Sequence, residues 1–290
     1  MSSTSSEVGP TPAIGRYGVF RSLADVEPEA RGEAVAELDE LGYGAVWLGH
    51  TTVEEAAPLV GAAPRITVAT GIHSIWRQEA ADAARHFGRL EEEHPQRFLL
   101  GLGVSHPQMV SGYRRPYTAM AAYLDELDDP ATFVPPRSRM LAALGPRMVR
   151  LARERAAGAF PYLVTAEQVA ETRALLGDSP VLAPELGVVT EDDPARARKL
   201  AREALSVYLQ LTNYRRNWLR AGFTEEDLAD GGSDRLVDAL FAWGDDARIR
   251  ERFAEFRAAG ADHVALQVFD GSPTGALPHR GWREVARLLD

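Results

Sequence analysis

The sequence predicts one (β/α)8 TIM barrel, an α/β fold. Eight short apolar runs recur along the 290 residues, and each is followed by helical sequence. Most of these runs are apolar at every position, as suits parallel strands buried on both faces. Eight such units in about 275 residues fit one barrel better than two doubly wound domains. Neither an internal repeat nor a linker breaks the rhythm, so residues 14–290 are expected to form a single domain.

Residues 1–13, rich in Ser, Thr, Pro and Gly without apolar periodicity, read as a disordered tail. Tyr17–Phe20 is the first strand. The helix after it runs from about Glu29 to Leu41, with Ala30, Ala34, Val35, Leu38 and Leu41 on one face and Gly42 as its stop. Ala45–Leu48 and the β-branched run Ile66–Ile72 are the second and third strands. A helix from Gln78 to Glu93 ends before Pro95. Phe98–Val104 is the fourth strand, backed by a helix over Pro116–Leu127 that Pro130 closes.

Met140–Leu144 is the fifth strand, and Pro146 suits the first turn of the helix that runs to Ala156. Ala159–Val164, then a helix over Glu167–Leu176, make the sixth unit. Leu186–Val189, preceded by Pro184, is the seventh strand. A long helix is expected from Pro194 past Tyr208, with a break near Thr212-Asn213, and shorter ones over Glu225–Ala229 and Asp234–Phe241. These form a helical insertion between strands 7 and 8. The helix Asp246–Ala259, the eighth strand Val264–Phe269 and a last helix over Trp282–Leu289 complete the chain.

Composition narrows the function. The sequence has no cysteine, which excludes thiolate nucleophiles, Fe–S clusters, disulfides and Cys-ligated zinc. A net charge of −10 argues against sequence-independent nucleic-acid binding, which needs a basic face. No apolar run reaches the roughly 18 residues of a membrane span, and the N-terminus carries no signal-peptide pattern. A cytoplasmic protein acting on a small molecule is the expectation.

In such barrels chemistry sits at the C-terminal ends of the strands. Polar residues directly after the apolar runs are therefore the candidates. His50, His73 and His106 follow the second, third and fourth strands and would face one pocket; each could equally be a satisfied structural histidine. No metal site is expected, since neither His-x-His nor His-Glu-x-x-His occurs. A nucleophile elbow, Gly-x-Ser-x-Gly, is also missing. Gly101-Leu102-Gly103 admits two readings: close approach of a flat or phosphorylated ligand, or relief of crowding inside the barrel. In Leu144-Gly145-Pro146-Arg147 a glycine precedes a Pro-started helix and an arginine, which suits an anion; an ordinary strand–helix turn is the alternative.

Six segments then carry a resemblance: 41–50 (LGYGAVWLGH), 64–72 (PRITVATGI), 96–106 (QRFLLGLGVSH), 142–148 (AALGPRM), 157–163 (AGAFPYL) and 260–267 (GADHVALQ). In this order the chain resembles the luciferase-like monooxygenase superfamily, and within it the actinobacterial, coenzyme F420-dependent oxidoreductase branch. The resemblance implies a flavin or deazaflavin held against the strand ends, with hydride transfer to or from a small organic substrate. FMN with molecular oxygen, in a two-component monooxygenase, is the alternative, and a non-catalytic cofactor-binding barrel is a second. It implies His50 near the reactive ring carbon and His106, where some relatives carry an acid, as a second catalytic candidate. It further implies a non-prolyl cis peptide within Thr70-Gly71-Ile72, forming a bulge behind the ring. His73, Gly103 and Ser105 complete that side of the cofactor site. The phosphate region is expected at Leu144, Gly145, Pro146 and Arg147, with Leu163, Val164 and Thr165. A homodimer is implied as well. The chain departs from many relatives at Arg77-Gln78-Glu79, where they read Arg-x-Pro, at Ala157, where they carry Asp, and in the short, Pro-rich stretch 128–139.

Overall fold

Parallel hydrogen bonding links β1 (Tyr17–Arg21), β2 (Ala45–Leu48), β3 (Thr67–Thr70) and β5 (Phe98–Gly103) in order, with β4 (His73–Ser74) continuing the third stave beside β5. The ladder goes on through β6 (Arg139–Leu141), β7 (Gly158–Ala159) and β8 (Val181–Leu182). After Ala183-Pro184 the same stave resumes as β9 (Glu185–Val189), which pairs with β11 (Val264–Phe269), and β11 pairs with β1. The eight expected staves therefore close on themselves. The computed structural model describes residues 10–273 and 275–289. The expected tail lies outside the described residues up to position 9. Residues 10–13 have no regular secondary structure, and the Ala13 carbonyl accepts a hydrogen bond from Thr67 Oγ1 at 2.7 Å.

Helices α1 (Pro28–Glu40), α2 (Val53–Val60), α3 (Ala80–Glu93), α4 (Pro116–Asp128), α5 (Pro146–Arg155) and α6 (Ala166–Leu176) follow staves one to six. Local signals start several of them. Pro28 and Pro146 sit in first turns, and Thr52–Glu55 and Thr165–Gln168 form reciprocal capping boxes for α2 and α6. The insertion is α7 (Pro194–Leu205), α8 (Thr212–Arg220) and α9 (Asp234–Leu240), and then α10 (Asp246–Ala258) and α11 (His279–Ala286) flank β11. Several local expectations change. Helix α2 was not anticipated; the sixth strand is only Gly158–Ala159; the long helix stops at Leu205, and Thr212 starts α8 where a break was expected; Glu225–Ala229 forms turns; and α9 stops at Leu240, because Phe241–Trp243 is a strand, β10, paired with β9. A three-residue apolar run extends a helical pattern as readily as it makes a strand, so periodicity does not separate them.

Inside the barrel, Trp47 and Phe160 stack with ring centroids 4.3 Å apart and planes 9° from parallel. Ala45, Ala69, Ala183 and Ala265 surround them, small residues that leave room for two large rings within one cylinder. Trp47 Nε1 donates to His263 Nε2 at 3.0 Å, and His263 Nδ1 meets the Gly15 carbonyl at the same distance, so this histidine is a satisfied structural one. Gly101 decides one of the two glycine readings: a Cβ there would lie 1.9 Å from the Thr70 carbonyl oxygen. Crowding between staves explains it. Gly101→Ala is expected to destabilise the barrel by about 3 kcal/mol or more, because backbone rather than a flexible side chain must move. Urea denaturation checks this; a change within about 0.5 kcal/mol would contradict it.

Candidate active site

A cavity of about 610 Å3 opens over the C-terminal ends of the staves, under α8 and the segment after β5. His50, Gly71, Ile72, Gly103, Ser105, His106, Leu144, Gly145, Pro146 and Arg147 all line it. Ten of the residues singled out from the sequence are thereby brought to one wall.

His50 ends the second stave in a left-handed backbone conformation, φ 55°, and its imidazole is exposed to the cavity. Burial of its surroundings, then the Arg77 charge, hold its pKa below the ordinary histidine value. The third stave turns through a cis peptide between Gly71 and Ile72, as the resemblance implied. Ile72 then projects against β5, and a Cβ at Gly103 would lie 2.7 Å from its Cγ1. At this glycine the crowding is set by the cavity wall itself.

On the fourth stave Ser105 is also left-handed, φ 56°, and turns His106 toward α8. Asn213 Nδ2 lies 3.4 Å from His106 Nδ1. Burial first, and the neighbouring His50 second, lower the His106 pKa to about 4. The imidazole is neutral at pH 7, as that of His50 is.

The phosphate-region candidates divide. Leu144–Arg147 leads into the uncapped N-terminus of α5, where Gly145 makes no side-chain cap and a Cβ on it would meet nothing within 4 Å. Arg220 of α8 reaches across to donate to the Leu144 carbonyl at 2.7 Å and to Asn217 Oδ1 at 2.5 Å. Asn217 is 1% exposed and lines the cavity, yet its Nδ2 has no partner, an orphaned donor beside the helix terminus. Arg147 lies over the Tyr117 ring at 4.3 Å.

Thr70, His73, Leu163, Val164 and Thr165 do not reach the cavity wall. Thr70 is fully buried and donates to the Gly101 carbonyl at 2.9 Å. His73, also fully buried, points behind the wall to the Tyr123 hydroxyl at 3.2 Å, and burial lowers its pKa to about 4. Leu163, left-handed at φ 51°, is held by its N–H on Glu185 Oε2 at 3.0 Å and offers its carbonyl to Trp218 Nε1 at 3.1 Å. Val164 is buried, and Thr165 caps α6. This segment docks α8, since Gln168 Nε2 also donates to the Asn217 carbonyl.

Three features escaped the sequence reading. Beside the expected Arg147, arginines 77, 216 and 220 line the cavity, with no Asp or Glu among the described lining residues. In a chain of net charge −10 this wall is a local reversal of sign. Tyr162 donates to Gln267 Oε1 at 2.7 Å and sits 2.9 Å from the Tyr208 hydroxyl, beside Tyr214. Below them Glu185 is 1% exposed with Oε1 unpartnered, and burial pushes its carboxyl up to about 8. In the sequence Glu185 stood just before the expected strand Leu186–Val189 and carried no spacing cue; the structure places it on the strand. Among the described residues no group of His, Asp and Glu is gathered for a metal, and no helix is long and apolar enough to cross a membrane.

A closed parallel barrel with two neutral histidines and an arginine-lined cavity at its strand ends defines a ligand-binding barrel enzyme. The luciferase-like monooxygenase family matches residues 21–263, and the chain belongs to that family of oxidoreductases. No curated protein sequence matches it. Among solved structures it is similar to an F420-dependent secondary alcohol dehydrogenase in complex with an F420–acetone adduct (TM-score 0.71, 14% identity, 97% of this chain and 99% of that one). It is also similar to the F420-dependent tetrahydromethanopterin reductase of Methanopyrus kandleri (0.68, 12%, 97% and 99%). A third is the oxygenating constituent of 3,6-diketocamphane monooxygenase from Pseudomonas putida, in complex with FMN (0.66, 17%, 94% and 96%). At these identities the likeness is one of fold.

Proposed function

We propose that this barrel binds coenzyme F420 and transfers hydride between it and a small organic substrate, with His50 moving the accompanying proton. The arginine-lined, carboxylate-free cavity wall around His50 and His106 carries this reading. A deazaflavin with a polyanionic tail needs more positive charge than the single phosphate of FMN, and Arg147, Arg216 and Arg220 supply it on one side. The residues fit such a group: the uncapped α5 N-terminus offers backbone N–H groups, Gly145 leaves open space before it, and Asn217 Nδ2 nearby is a donor without a partner.

When bound, the deazaflavin supplies two-electron hydride chemistry. The chain's own part is orientation, water exclusion and proton handling. With its pKa lowered, His50 is an uncharged base at pH 7, suited to accept a proton from a substrate hydroxyl and to return it in reverse. His106 is a second neutral imidazole on the same cavity. The non-catalytic alternative would gain from a His50 buried away from substrate; an exposed His50 on the cavity favours the catalytic reading. We carry the expectation of a cytoplasmic homodimer as part of the proposal, to be checked by light scattering of the purified protein and by fractionation of its host.

Fluorescence titration with F420 and with FMN tests the cofactor. F420 is expected to bind tighter, and Arg147→Ala and Arg220→Ala are each expected to weaken it about tenfold, the loss of one charge-assisted hydrogen bond. Tighter FMN binding would instead favour the oxygen-dependent monooxygenase. F420 affinity unmoved in both variants would remove the arginine wall from the argument.

A further inference from the structure

We propose that Arg77 is the positioning residue of His50, clamping its backbone carbonyl and fixing a guanidinium charge beside its ring. The proposal rests on the reading of His50 as the proton-handling residue. Arg77 NH1 donates to the His50 carbonyl at 2.5 Å, while NH2 donates to Glu55 Oε1 at 3.1 Å. Glu55 is itself fixed: its Oε2 accepts the Thr52 N–H at 2.7 Å, and its own N–H meets Thr52 Oγ1, the capping box of α2. One guanidinium thus ties the segment after β4 to the turn between β2 and α2. The tied residue needs tying, since φ 55° is a conformation that side chains with a Cβ adopt at a cost.

The same geometry sets a charge beside the imidazole. The charged and titratable groups around His50 are Arg77, Glu55 from α2 and His106 from the segment after β5. Arg77 disfavours protonation of His50; the Glu55 carboxylate is the counter-charge paired with that guanidinium.

Histidine-selective NMR titration of the ligand-free protein, with the His50 signal assigned by His50→Gln, reads this without any cofactor. Failure of the cofactor reading and failure of this inference are therefore distinguishable. Arg77→Gln should raise the His50 midpoint, Arg77→Lys should leave it near the wild-type value, and both should lower turnover about tenfold through loss of the forked grip. A midpoint unmoved by Arg77→Gln, or moved equally by Arg77→Lys, would overturn the proposal. Should Arg77→Gln fail to fold, Glu55→Gln keeps the capping box but removes the counter-charge. It should lower the His50 midpoint, and an unmoved midpoint there also overturns it.

Discussion

Glu185→Gln is expected to gain stability over the wild type as pH rises, by roughly 3–5 kcal/mol between pH 4.5 and pH 8. Glu185 stands inside the barrel on β9, with Leu163 N–H on one oxygen and nothing on the other. Burial raises its carboxyl to about 8, so the folded protein keeps the proton across that window. The unfolded chain releases it near the ordinary carboxylate value. A group raised in this way contributes stability that is fully present below the unfolded pKa and is lost as pH climbs to the folded one. Glutamine stays neutral throughout, so the difference between the two proteins should grow by about 1.4 kcal/mol per pH unit. Any cost of placing the new amide N–H groups adds a constant and leaves the slope unaltered. Urea denaturation of both proteins at pH 5, 6.5 and 8 measures it. A stability difference independent of pH would mean that Glu185 is ionised in the fold, despite lying where water does not reach.

Removing His50 has the largest effect expected on activity. His50→Ala should cut turnover about 10²-fold or more while leaving cofactor affinity within a few-fold, because the imidazole moves a proton and carries little of the binding. The readout is F420 absorbance with whichever member of an alcohol and carbonyl panel the wild type turns over. In the oxidative direction the wild-type profile should be flat through neutral pH. It should fall only when acid protonates His50, at a pH below the ordinary histidine value, since burial and Arg77 both disfavour the charged ring. Turnover equal to wild type in a natively folded variant would take His50 out of the chemistry.

The histidines illustrate how far the sequence carries. His50, His73 and His106 hold equivalent places after consecutive apolar runs, and nothing in their spacing separates them. Packing parts them: His73 lies behind the wall against Tyr123, and His50 and His106 line the cavity. Leu163–Thr165 likewise follows a stave and looks like a ligand loop. The Glu185 carboxyl group and Trp218 indole use its backbone instead to seat α8. Arg77, named beforehand only as the first residue of the stretch where Glu79 replaces the relatives' Pro, proves to be joined to His50 across 27 residues of chain.

By itself the sequence determined the repeating strand–helix architecture, the insertion before the last strand and the strand ends where a site would lie. These are local properties: apolar periodicity, caps and turn residues act within a few positions. Tertiary structure alone decided which polar groups share the cavity, which are spent inside the wall, and that an acidic chain turns an arginine-lined face to its ligand. Those outcomes depend on packing between elements far apart in the chain, and on burial that shifts His106 and Glu185 from their ordinary pKa values.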